Sequence, residues 1–317
     1  MSGHPLVYVV VLNWNGWHDT ARCLASLRSS TYPNLHVVVV DNGSTDGSPE
    51  HLAPLLSAPW GELVQARRNL GFTGGANCGL RLALERGADY AFLLNNDATV
   101  APNCITTLVE AAESRPEVGF VGPKIVSAEE PGRIWSAGMS VAWHRATIAS
   151  HRGEPDSGRF DGSRVVQGLS GCALLTKRAV LERVGLLDER YFAYYEDLDW
   201  CLRARRVGFR CLYVGAAQSS HVGSATSNPN TGRSQSAFLN YYAARNILLF
   251  MGTHVPRALR PLALARQTGR LASAVACVLA GGVVLRRPAA GRRAWALTVG
   301  AIDAARGRYG DCYEVHP

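Results

Sequence analysis

The amino-acid sequence predicts an α/β fold in which a doubly wound, mostly parallel sheet is flanked by helices and followed by a helical C-terminal extension. Apolar, β-branched runs alternate with segments of helical spacing in the first half, an order typical of a parallel doubly wound sheet. Polar clusters follow the ends of these runs, where open α/β sheets bind ligands. Charged residues make up 18% of the 317 residues, a composition that favours a folded chain.

Four strands are predicted in the first half. Leu6–Leu12 is a continuous apolar run, as expected for a strand buried on both faces of a sheet. Three further runs have the same character, and we predict strands at Leu35–Val40, Leu63–Ala66 and Tyr90–Leu94.

Three helices are predicted to connect and follow these strands. Asp19–Leu27 has leucines at helical spacing. Thr73–Leu84 is predicted as a helix that its threonine caps and that Gly87 ends. Pro102–Glu113 is predicted as a third helix, because proline fits the first helical turn.

The second half has a less regular pattern. Ser150–Gly162 is rich in Gly, Pro, Asp and Ser and is predicted as a surface loop. Leu169–Thr176 is predicted as a strand, and Lys177–Val184 and Glu196–Val207 as helices. Gly223–Ser236 is rich in Ser, Asn, Gly and Thr, and we expect a mobile segment that orders as a lid over a bound ligand.

The predicted domain organisation is an α/β domain over residues 1–253 and a basic helical tail over residues 254–317. Within the α/β domain, we expect two halves, over about 1–122 and about 123–253.

The tail carries the positive charge of the chain. Between Arg257 and Arg308 there are ten arginines and one acid, whereas the net charge of the whole chain is +8. These arginines lie among Leu, Ala and Val with one aromatic, Trp295, which favours a membrane surface over a nucleic-acid partner. The apolar stretch Leu271–Leu285 has fifteen residues, fewer than the about twenty that cross a bilayer. The tail should therefore lie along a membrane or pack on the α/β domain.

The N-terminus and the cysteines predict a cytoplasmic protein, and the tail leaves open whether it also has peripheral contact at the inner face of the membrane. No basic region precedes an apolar stretch at the N-terminus, so no signal peptide is predicted. The eight cysteines are scattered without a C-x-x-C pair, so we expect free thiols rather than a zinc site or a redox motif.

Polar residues at the first two strand ends are candidate ligand-binding residues. The run NWNG (13–16) follows the first strand, where a dinucleotide-binding fold would carry G-x-G-x-x-G, so a nicotinamide oxidoreductase is disfavoured. Asp41 ends the second strand. It either binds a ribose hydroxyl or serves only as a turn residue, since DNGSTDG (41–47) has good turn composition.

Acids and a histidine further along the chain are the candidates for chemistry. Asp97 follows the fourth strand and either coordinates a cation that also binds phosphates or belongs to a polar turn. Glu196, Asp197 and Asp199 lie at a helix start among aromatic residues. Acids at that end can compensate the helix dipole, whereas shielded carboxylates can serve as general bases. His221 is either structural or a ligand.

Together these motifs resemble the inverting family 2 glycosyltransferases of the GT-A fold, and within them the rhamnosyltransferase-like branch. The resemblance covers about residues 7 to 253, with a weaker echo in the tail. It implies that residues 1–253 form a catalytic domain, with a nucleotide-binding half over about 1–122 and an acceptor and catalytic half over about 123–253. Each motif alone is weak, but their number, order and spacing are specific. The matching runs are VVLNWNG (10–16), VVVDNGSTDGS (38–48), RNLGFTGGANCGL (68–80), LLNNDATV (93–100), the long run 170–210, His221 with Ser224, YYAARNILLF (241–250) and AIDAARGRYG (301–310).

The resemblance implies how the donor is bound. Asp41 would hold the nucleobase or ribose of a nucleoside diphosphate sugar. The loop with Asn13 and Asn15 and the turn from Asn69 to Gly74 would flank the nucleoside.

The resemblance also implies a divalent metal, Mn²⁺ or Mg²⁺. Asp97 matches the last acid of the D-x-D motif, and His221 matches a late metal-ligand histidine. The first position of D-x-D is Asn95, followed by Asn96, both expected near the donor. With one carboxylate and one neutral imidazole, metal binding should be weak until a diphosphate supplies further anionic ligands.

The implied catalytic base is Asp197, in the pair with Glu196. The implied reaction is a single displacement with inversion, moving rhamnose or another hexose or deoxyhexose to a hydroxyl of a glycan, a lipid-linked glycan or a small secondary-metabolite acceptor. Two further alternatives stay open: a non-catalytic sugar-nucleotide-binding module, and a membrane scaffold whose tail is the functional part.

Overall fold

The computed structural model describes residues 3–222, 235–284 and 289–313. These residues form twelve strands and nine α-helices. The strands are Val7–Asn13 (β1), Leu35–Asp41 (β2), Gly61–Gln65 (β3), Tyr90–Asn95 (β4), Ala98–Val100 (β5), Val118–Ser127 (β6), Ile134–Ser136 (β7), Ser140–Ala142 (β8), Thr147–Ala149 (β9), Arg164–Val166 (β10), Ala173–Lys177 (β11) and Arg210–His221 (β12). The helices are Trp17–Arg28 (α1), Ser48–Leu52 (α2), Gly71–Glu85 (α3), Cys104–Glu113 (α4), Arg178–Val184 (α5), Glu196–Arg206 (α6), Gln235–His254 (α7), Arg260–Val284 (α8) and Ala289–Ala305 (α9).

One mixed sheet in the order β10-β12-β6-β11-β4-β1-β2-β3 organises the molecule, with β5 paired to β12 and β7 to β6. The predicted α/β fold class is therefore confirmed. Strands β3, β2, β1 and β4 are parallel, as the buried apolar runs predicted. Beyond them β11 runs antiparallel to both β4 and β6, so the second half of the sheet is mixed.

Alternate residues of the central strand β1 enter two separate core layers. Val9 and Val11 pack with α1 and α4 on one face, whereas Tyr8 and Val10 pack with α3 and α6 on the other. Successive side chains of a strand point to opposite faces, so a run buried throughout needs helices on both sides. This explains why β1 is apolar along its whole length.

The register of the sheet places polar strand ends side by side. Asn13 pairs with Asp41, and Leu12 pairs with Asn95. On the other side of the sheet β5 pairs with β12, so that His221 lies opposite Ala98. Neither β6 nor β12 was assigned from the sequence, yet they bring residue 221 to the fourth strand's end.

Most predicted elements agree with the structure, with shifted ends. The predicted loop Ser150–Gly162 contains no helix or named strand, and the strand predicted from Leu169 begins at Ala173. The prediction that Thr73 caps α3 is wrong, because α3 begins at Gly71 and no side chain caps it. All eight cysteines are free thiols, as predicted.

The C-terminal helix α9 packs against α7. A Cβ at Gly300 would overlap the backbone of Tyr241, and the Tyr241 hydroxyl donates to the buried Asp303 carboxylate at 2.6 Å. This part of the tail therefore adopts the packed arrangement, one of the two alternatives that the sequence left open.

The outer part of α8 is far less covered. From Leu271 to Gly281 every residue is exposed or half-buried, and Leu279 is 47% exposed. No helix in the described ranges is both long and apolar enough to cross a membrane. Residues 223–234 of the predicted lid and residues 285–288 lie outside the described residues.

Candidate active site

The ends of β1 and β2 are joined by a buried hydrogen-bond network. The Asn13 amide donates to Asp41 Oδ1 at 2.8 Å and accepts from the Thr20 hydroxyl at 2.8 Å. The Ser44 backbone N–H donates to Asp41 Oδ2 at 3.1 Å. Asp41 is 2% exposed, so it supports its own turn and also fixes Asn13 on the neighbouring strand.

Asn15 continues this connection between the two loops. Its φ is +50°, a left-handed conformation that asparagine tolerates better than most residues. Its side-chain oxygen accepts from the Thr45 N–H at 2.7 Å, and its own N–H donates to the Ser44 hydroxyl at 2.8 Å. The loops after β1 and β2 are therefore joined to each other by hydrogen bonds.

The turn before α3 is held to β2 by Asn42, which the sequence analysis did not select. The Asn42 amide donates to Asn69 Oδ1 and to the Gly71 carbonyl, both at 3.0 Å, and accepts from the Leu70 N–H at 3.0 Å. Gly74, predicted to contact a donor, is buried in the first turns of α3, where a Cβ would lie 2.8 Å from Leu70 Cβ.

The predicted metal-binding residues lie together at the end of β4. Asp97 Oδ1 is 2.9 Å from His221 Nε2, and Asn95 Nδ2 is 3.2 Å from the same nitrogen. Asn96 points elsewhere and donates to the Thr20 hydroxyl at 3.1 Å. Asp97 and His221 are 7% and 5% exposed. We call Asn13, Asp41, Asn42, Asn69 and residues 95–97 the strand-end cluster.

Asp97 and His221 fit a divalent cation held by two protein atoms. Neighbouring ligand atoms at a metal with bonds of about 2.1 Å lie about 3 Å apart, and the facing atoms here are 2.9 Å apart. Carboxylate suits Mg²⁺ and Mn²⁺, and imidazole is a common transition-metal ligand. No group of three or more His, Cys, Asp or Glu side chains able to hold a metal occurs in the described part of the chain. The two side chains alone therefore do not complete a coordination shell.

Asp197 lies in the first turn of α6, with both carboxylate oxygens hydrogen-bonded to backbone. Oδ2 accepts from the Gly171 N–H at 2.8 Å, and Oδ1 accepts from the Leu198 N–H at 2.7 Å. Burial raises the pKa of Asp197, although these hydrogen bonds partly oppose the shift. The side chain is half-buried, so it is shielded from bulk water and still accessible, as a general base requires.

The other two acids of α6 have different surroundings. Burial, and then the charge of Asp197, raises the pKa of Glu196 well above its ordinary value. Glu196 is buried, so it is less accessible to an acceptor than the half-buried Asp197. Burial also disfavours the charge on Asp199, but hydrogen bonds from His254 and Arg203, at 2.7 and 2.8 Å, outweigh it and lower its pKa. The Asp199 carboxylate is therefore already hydrogen-bonded, and through His254 it joins α6 to α7.

The segment that leads into α6 has an unusual backbone. Phe192, Tyr194 and Tyr195 have φ values of +64°, +72° and +75°, which are uncommon for bulky side chains and cluster at functional sites. The Phe192 carbonyl accepts from the Thr73 N–H at 3.1 Å. We call residues 190–197 the helix-start segment, and this contact joins it to the turn that Asn42 holds.

Glycine at position 71 makes this junction sterically feasible. Its φ is +73°, and an added Cβ would lie 2.6 Å from the Phe192 carbonyl oxygen. Sequence reasoning selected Asn69 and Gly74 on either side of this position, but missed Thr20, Asn42 and Ser44. Of these, Asn42 and Ser44 lie within the turn motif that begins at Asp41 and could have been found there.

Comparison with known proteins gives a consistent result. Residues 8–185 match the model of the family described as Glycosyl transferase family 2. An N-acetylglucosaminyl-diphospho-decaprenol L-rhamnosyltransferase from Mycobacterium tuberculosis is 31% identical over 67% of this chain and 75% of its own length. The dTDP-rhamnosyl transferase RfbF from Shigella flexneri is 24% identical over 79% of this chain and 81% of its own.

A solved structure supports the fold over nearly the whole chain. It is the mannosyltransferase PcManGT from Pyrobaculum calidifontis in complex with GDP-Man and Mn²⁺, which covers 97% of this chain and 88% of its own with a TM-score of 0.55 and 21% identity. The chain belongs to the family 2 glycosyltransferases and is rhamnosyltransferase-like.

Proposed function

We propose that this glycosyltransferase is metal-dependent and inverts the anomeric centre, moving rhamnose or another hexose or deoxyhexose from a nucleoside diphosphate to an acceptor hydroxyl. The observation that carries the proposal is the pairing of Asp97 with His221 at one strand end and of Asp197 with backbone donors at the start of α6. These are the two parts that a single displacement needs: a site for the leaving diphosphate, and a base for the acceptor.

In this mechanism Asp197 accepts the proton of the acceptor hydroxyl as that oxygen attacks the anomeric carbon. Its raised pKa makes it a better base than an ordinary aspartate. The Gly171 N–H holds one oxygen at 2.8 Å, which fixes the direction of the carboxylate. A single carboxylate on the face opposite the leaving group suffices for inversion, whereas a retaining double displacement would need a nucleophile beneath the sugar.

The strand-end cluster would bind the donor. Asp41 and Asn13 would hold the nucleoside, with Asn15 and Asn69 in the flanking loops and Asn95 and Asn96 towards the diphosphate. A divalent metal held by Asp97 and His221 would neutralise the charge that grows on the leaving diphosphate. Because only one of these two ligands is anionic, we expect the diphosphate to be needed for firm metal binding.

For the donor and the acceptor, the relatives suggest which compounds to test first. Their names contain dTDP-rhamnosyl and N-acetylglucosaminyl-diphospho-decaprenol. The first donor to test is therefore dTDP-rhamnose, followed by other sugar nucleotides. The first acceptor to test is a polyprenyl-diphosphate N-acetylglucosamine. The full chain with Mn²⁺ should show both thermal stabilisation and nucleoside diphosphate release. Stabilisation by a donor without turnover on any acceptor would instead indicate a non-catalytic binding module.

A lipid-linked acceptor would fit a peripheral membrane position of the tail, beyond a catalytic unit of residues 1–253. The outer part of α8 exposes apolar side chains, and Arg257, Arg266 and Arg292 are exposed elsewhere in the tail. An arginine near an anionic leaflet contributes about 1 kcal/mol. We propose a surface-bound, cytoplasmic enzyme whose α8 lies along the membrane.

Vesicle co-sedimentation of full-length variants tests this position. Removing the tail is unsuitable, because α9 packs on α7 and Asp303 is buried there. Leu279→Glu should release the protein from anionic vesicles at low salt, whereas Leu55→Glu, at a similarly exposed leucine outside the tail, should not. If neither the native chain nor these variants sediment, the membrane position is wrong and a soluble acceptor is favoured.

A further inference from the structure

We infer that Arg245 and Asn246 of α7 are positioning residues for the base, because together they hold the carbonyl groups of the segment that carries Asp197. We call the two residues the carbonyl clamp. The inference rests on the proposed role of Asp197 and extends it to side chains about 50 positions further along the chain. It also links the tail to catalysis, because a tail carbonyl completes the clamp.

Asn246 donates to three backbone carbonyls of the helix-start segment. Its amide nitrogen is 2.8 Å from the Tyr191 carbonyl, 2.7 Å from that of Ala193 and 3.0 Å from that of Tyr194. The side chain is fully buried. An amide group has two N–H donors, so the three carbonyls share them and turn inward around one nitrogen. This arrangement accounts for the left-handed backbone at Phe192, Tyr194 and Tyr195.

Arg245 fixes the orientation of that amide. Its Nε donates to Asn246 Oδ1 at 2.9 Å, which turns the NH₂ group towards the carbonyls. Its Nη2 donates to the Arg190 and Tyr191 carbonyls at 2.9 and 2.8 Å. A fully buried guanidinium is costly unless it is hydrogen-bonded, so this residue is a strong constraint on the segment.

The tail contributes to the clamp through Gly310. Arg245 Nη1 donates to the Gly310 carbonyl at 2.6 Å, and the Gly310 N–H donates to the Arg190 carbonyl at 2.9 Å. The stretch after α9 thus contacts both the guanidinium and the segment that the guanidinium holds. The tail is in this way part of the support of the active site, in addition to any membrane contact.

The clamp and helix α3 hold the same short segment. Asn246 holds the carbonyls on either side of Phe192, while the Phe192 carbonyl itself accepts from the Thr73 N–H of α3. Two residues after Tyr195 comes Asp197. A displacement of about 1 Å at a reacting group can reduce the rate about 100-fold, so loss of the clamp should affect turnover more than binding.

The test is Asn246→Asp, assayed beside Asp197→Asn and a matched destabilised variant, Leu108→Ala. Aspartate keeps the shape and the contact with Arg245 but places an oxygen where the three carbonyls need a donor. We expect kcat to fall about 10–100-fold, a smaller change in the donor KM, and a shifted acid limb of the pH–kcat profile. Leu108 is a buried core residue of α4, so its truncation should lower Tm and leave kcat per folded molecule and the pH profile unchanged.

Native kcat and an unchanged pH profile in folded Asn246→Asp, with only Tm lowered as in Leu108→Ala, would overturn the clamp. If Asn246→Asp does not fold, Arg245→Lys decides by the same readouts, since lysine keeps the charge but has one nitrogen where the guanidinium has three. Full turnover in Asp197→Asn would instead overturn the base assignment, and the two failures are therefore distinguishable.

Discussion

In the strand-end cluster, Asn13 and Asp41 come together because they end adjacent parallel strands that are paired in register. In the helix-start segment, Asp197 reaches its place through a left-handed backbone that side chains of α7 hold. The first arrangement depends on sheet geometry and short turns, whereas the second depends on contacts between parts of the chain about 50 residues apart. The proposed mechanism thus assigns binding and chemistry to different parts of the molecule, and substitutions should separate them.

The largest expected effect separates chemistry from binding at Asp197. Asp197→Asn keeps the size of the side chain but retains only one of the two oxygens that accept from backbone N–H groups, and it cannot act as a base, so turnover should fall about 10²–10⁴-fold. Stabilisation by the donor, measured by thermal shift, should be nearly unchanged. Glu182→Gln, an exposed acid in a surface ion pair on α5, is the control and should retain activity. Normal turnover in Asp197→Asn would move the role to Glu196, since Asp199 is already engaged by His254 and Arg203.

The metal pair should give the next largest effect, now on the binding side. In titration calorimetry with nucleoside diphosphate present, His221→Ala should weaken Mn²⁺ binding. Loss of an outer-shell contact alone reduces metal affinity about 10–100-fold, so loss of a direct ligand should have at least that effect. Asn95→Asp places a second carboxylate 3.2 Å from the same imidazole nitrogen, where Asn95 Nδ2 now lies, and should strengthen metal binding to the nucleotide-free protein. Tight Mn²⁺ binding by the native protein without nucleotide would contradict this site.

Asn42 tests whether the strand-end cluster supports binding rather than chemistry. Asn42→Ala leaves the Leu70 N–H and the Gly71 carbonyl without their partner, which should cost about 1–3 kcal/mol of unfolding free energy. The donor KM should rise more than kcat falls, because the turn containing Asn69 loses its anchor. Asn103→Ala, at an exposed helix start that makes no side-chain cap bond, should change stability by less than about 0.5 kcal/mol. A fall confined to kcat would place Asn42 with the base instead.

The smallest expected effect is a pH-dependent gain of stability in Glu196→Gln. Because the pKa of Glu196 is raised in the folded state, the folded protein keeps a proton that the unfolded chain releases above the ordinary value of 4.5. The native protein should therefore lose stability relative to Glu196→Gln as the pH rises above that value. Tm measured from pH 4 upwards should show a widening difference, and a constant difference would mean that Glu196 ionises normally.

The sequence was informative for the strand-end cluster because each strand there is a local apolar run followed directly by its polar end. Asn13, Asp41 and Asp97 could be selected in this way. Asn42 lies in the same turn motif as Asp41, but its contacts with the turn at Asn69–Gly71 could not be predicted, since only the fold brings that turn near. The same holds for His221, which the resemblance selected but whose placement depends on β12 pairing with β5.

The helix-start segment shows where local patterns fail. Three acids at a helix start predicted a candidate base, yet nothing local distinguishes Asp199, whose partner His254 comes from the end of α7. Likewise, the sequence left open whether the arginine-rich tail packs or lies on a membrane. Packing of α9 on α7 depends on Gly300 fitting against the Tyr241 backbone, a close approach that composition does not indicate.

The most direct test of the central proposal is the anomeric configuration of the product. The full-length protein is incubated with Mn²⁺, the sugar nucleotide that supports turnover and its acceptor, and the anomeric coupling of the new glycoside is read by NMR. A single displacement assisted by Asp197 gives a configuration opposite to that of the donor. Retention of the donor configuration would contradict it, because in the proposed site one carboxylate activates the acceptor and no residue acts as a nucleophile towards the donor.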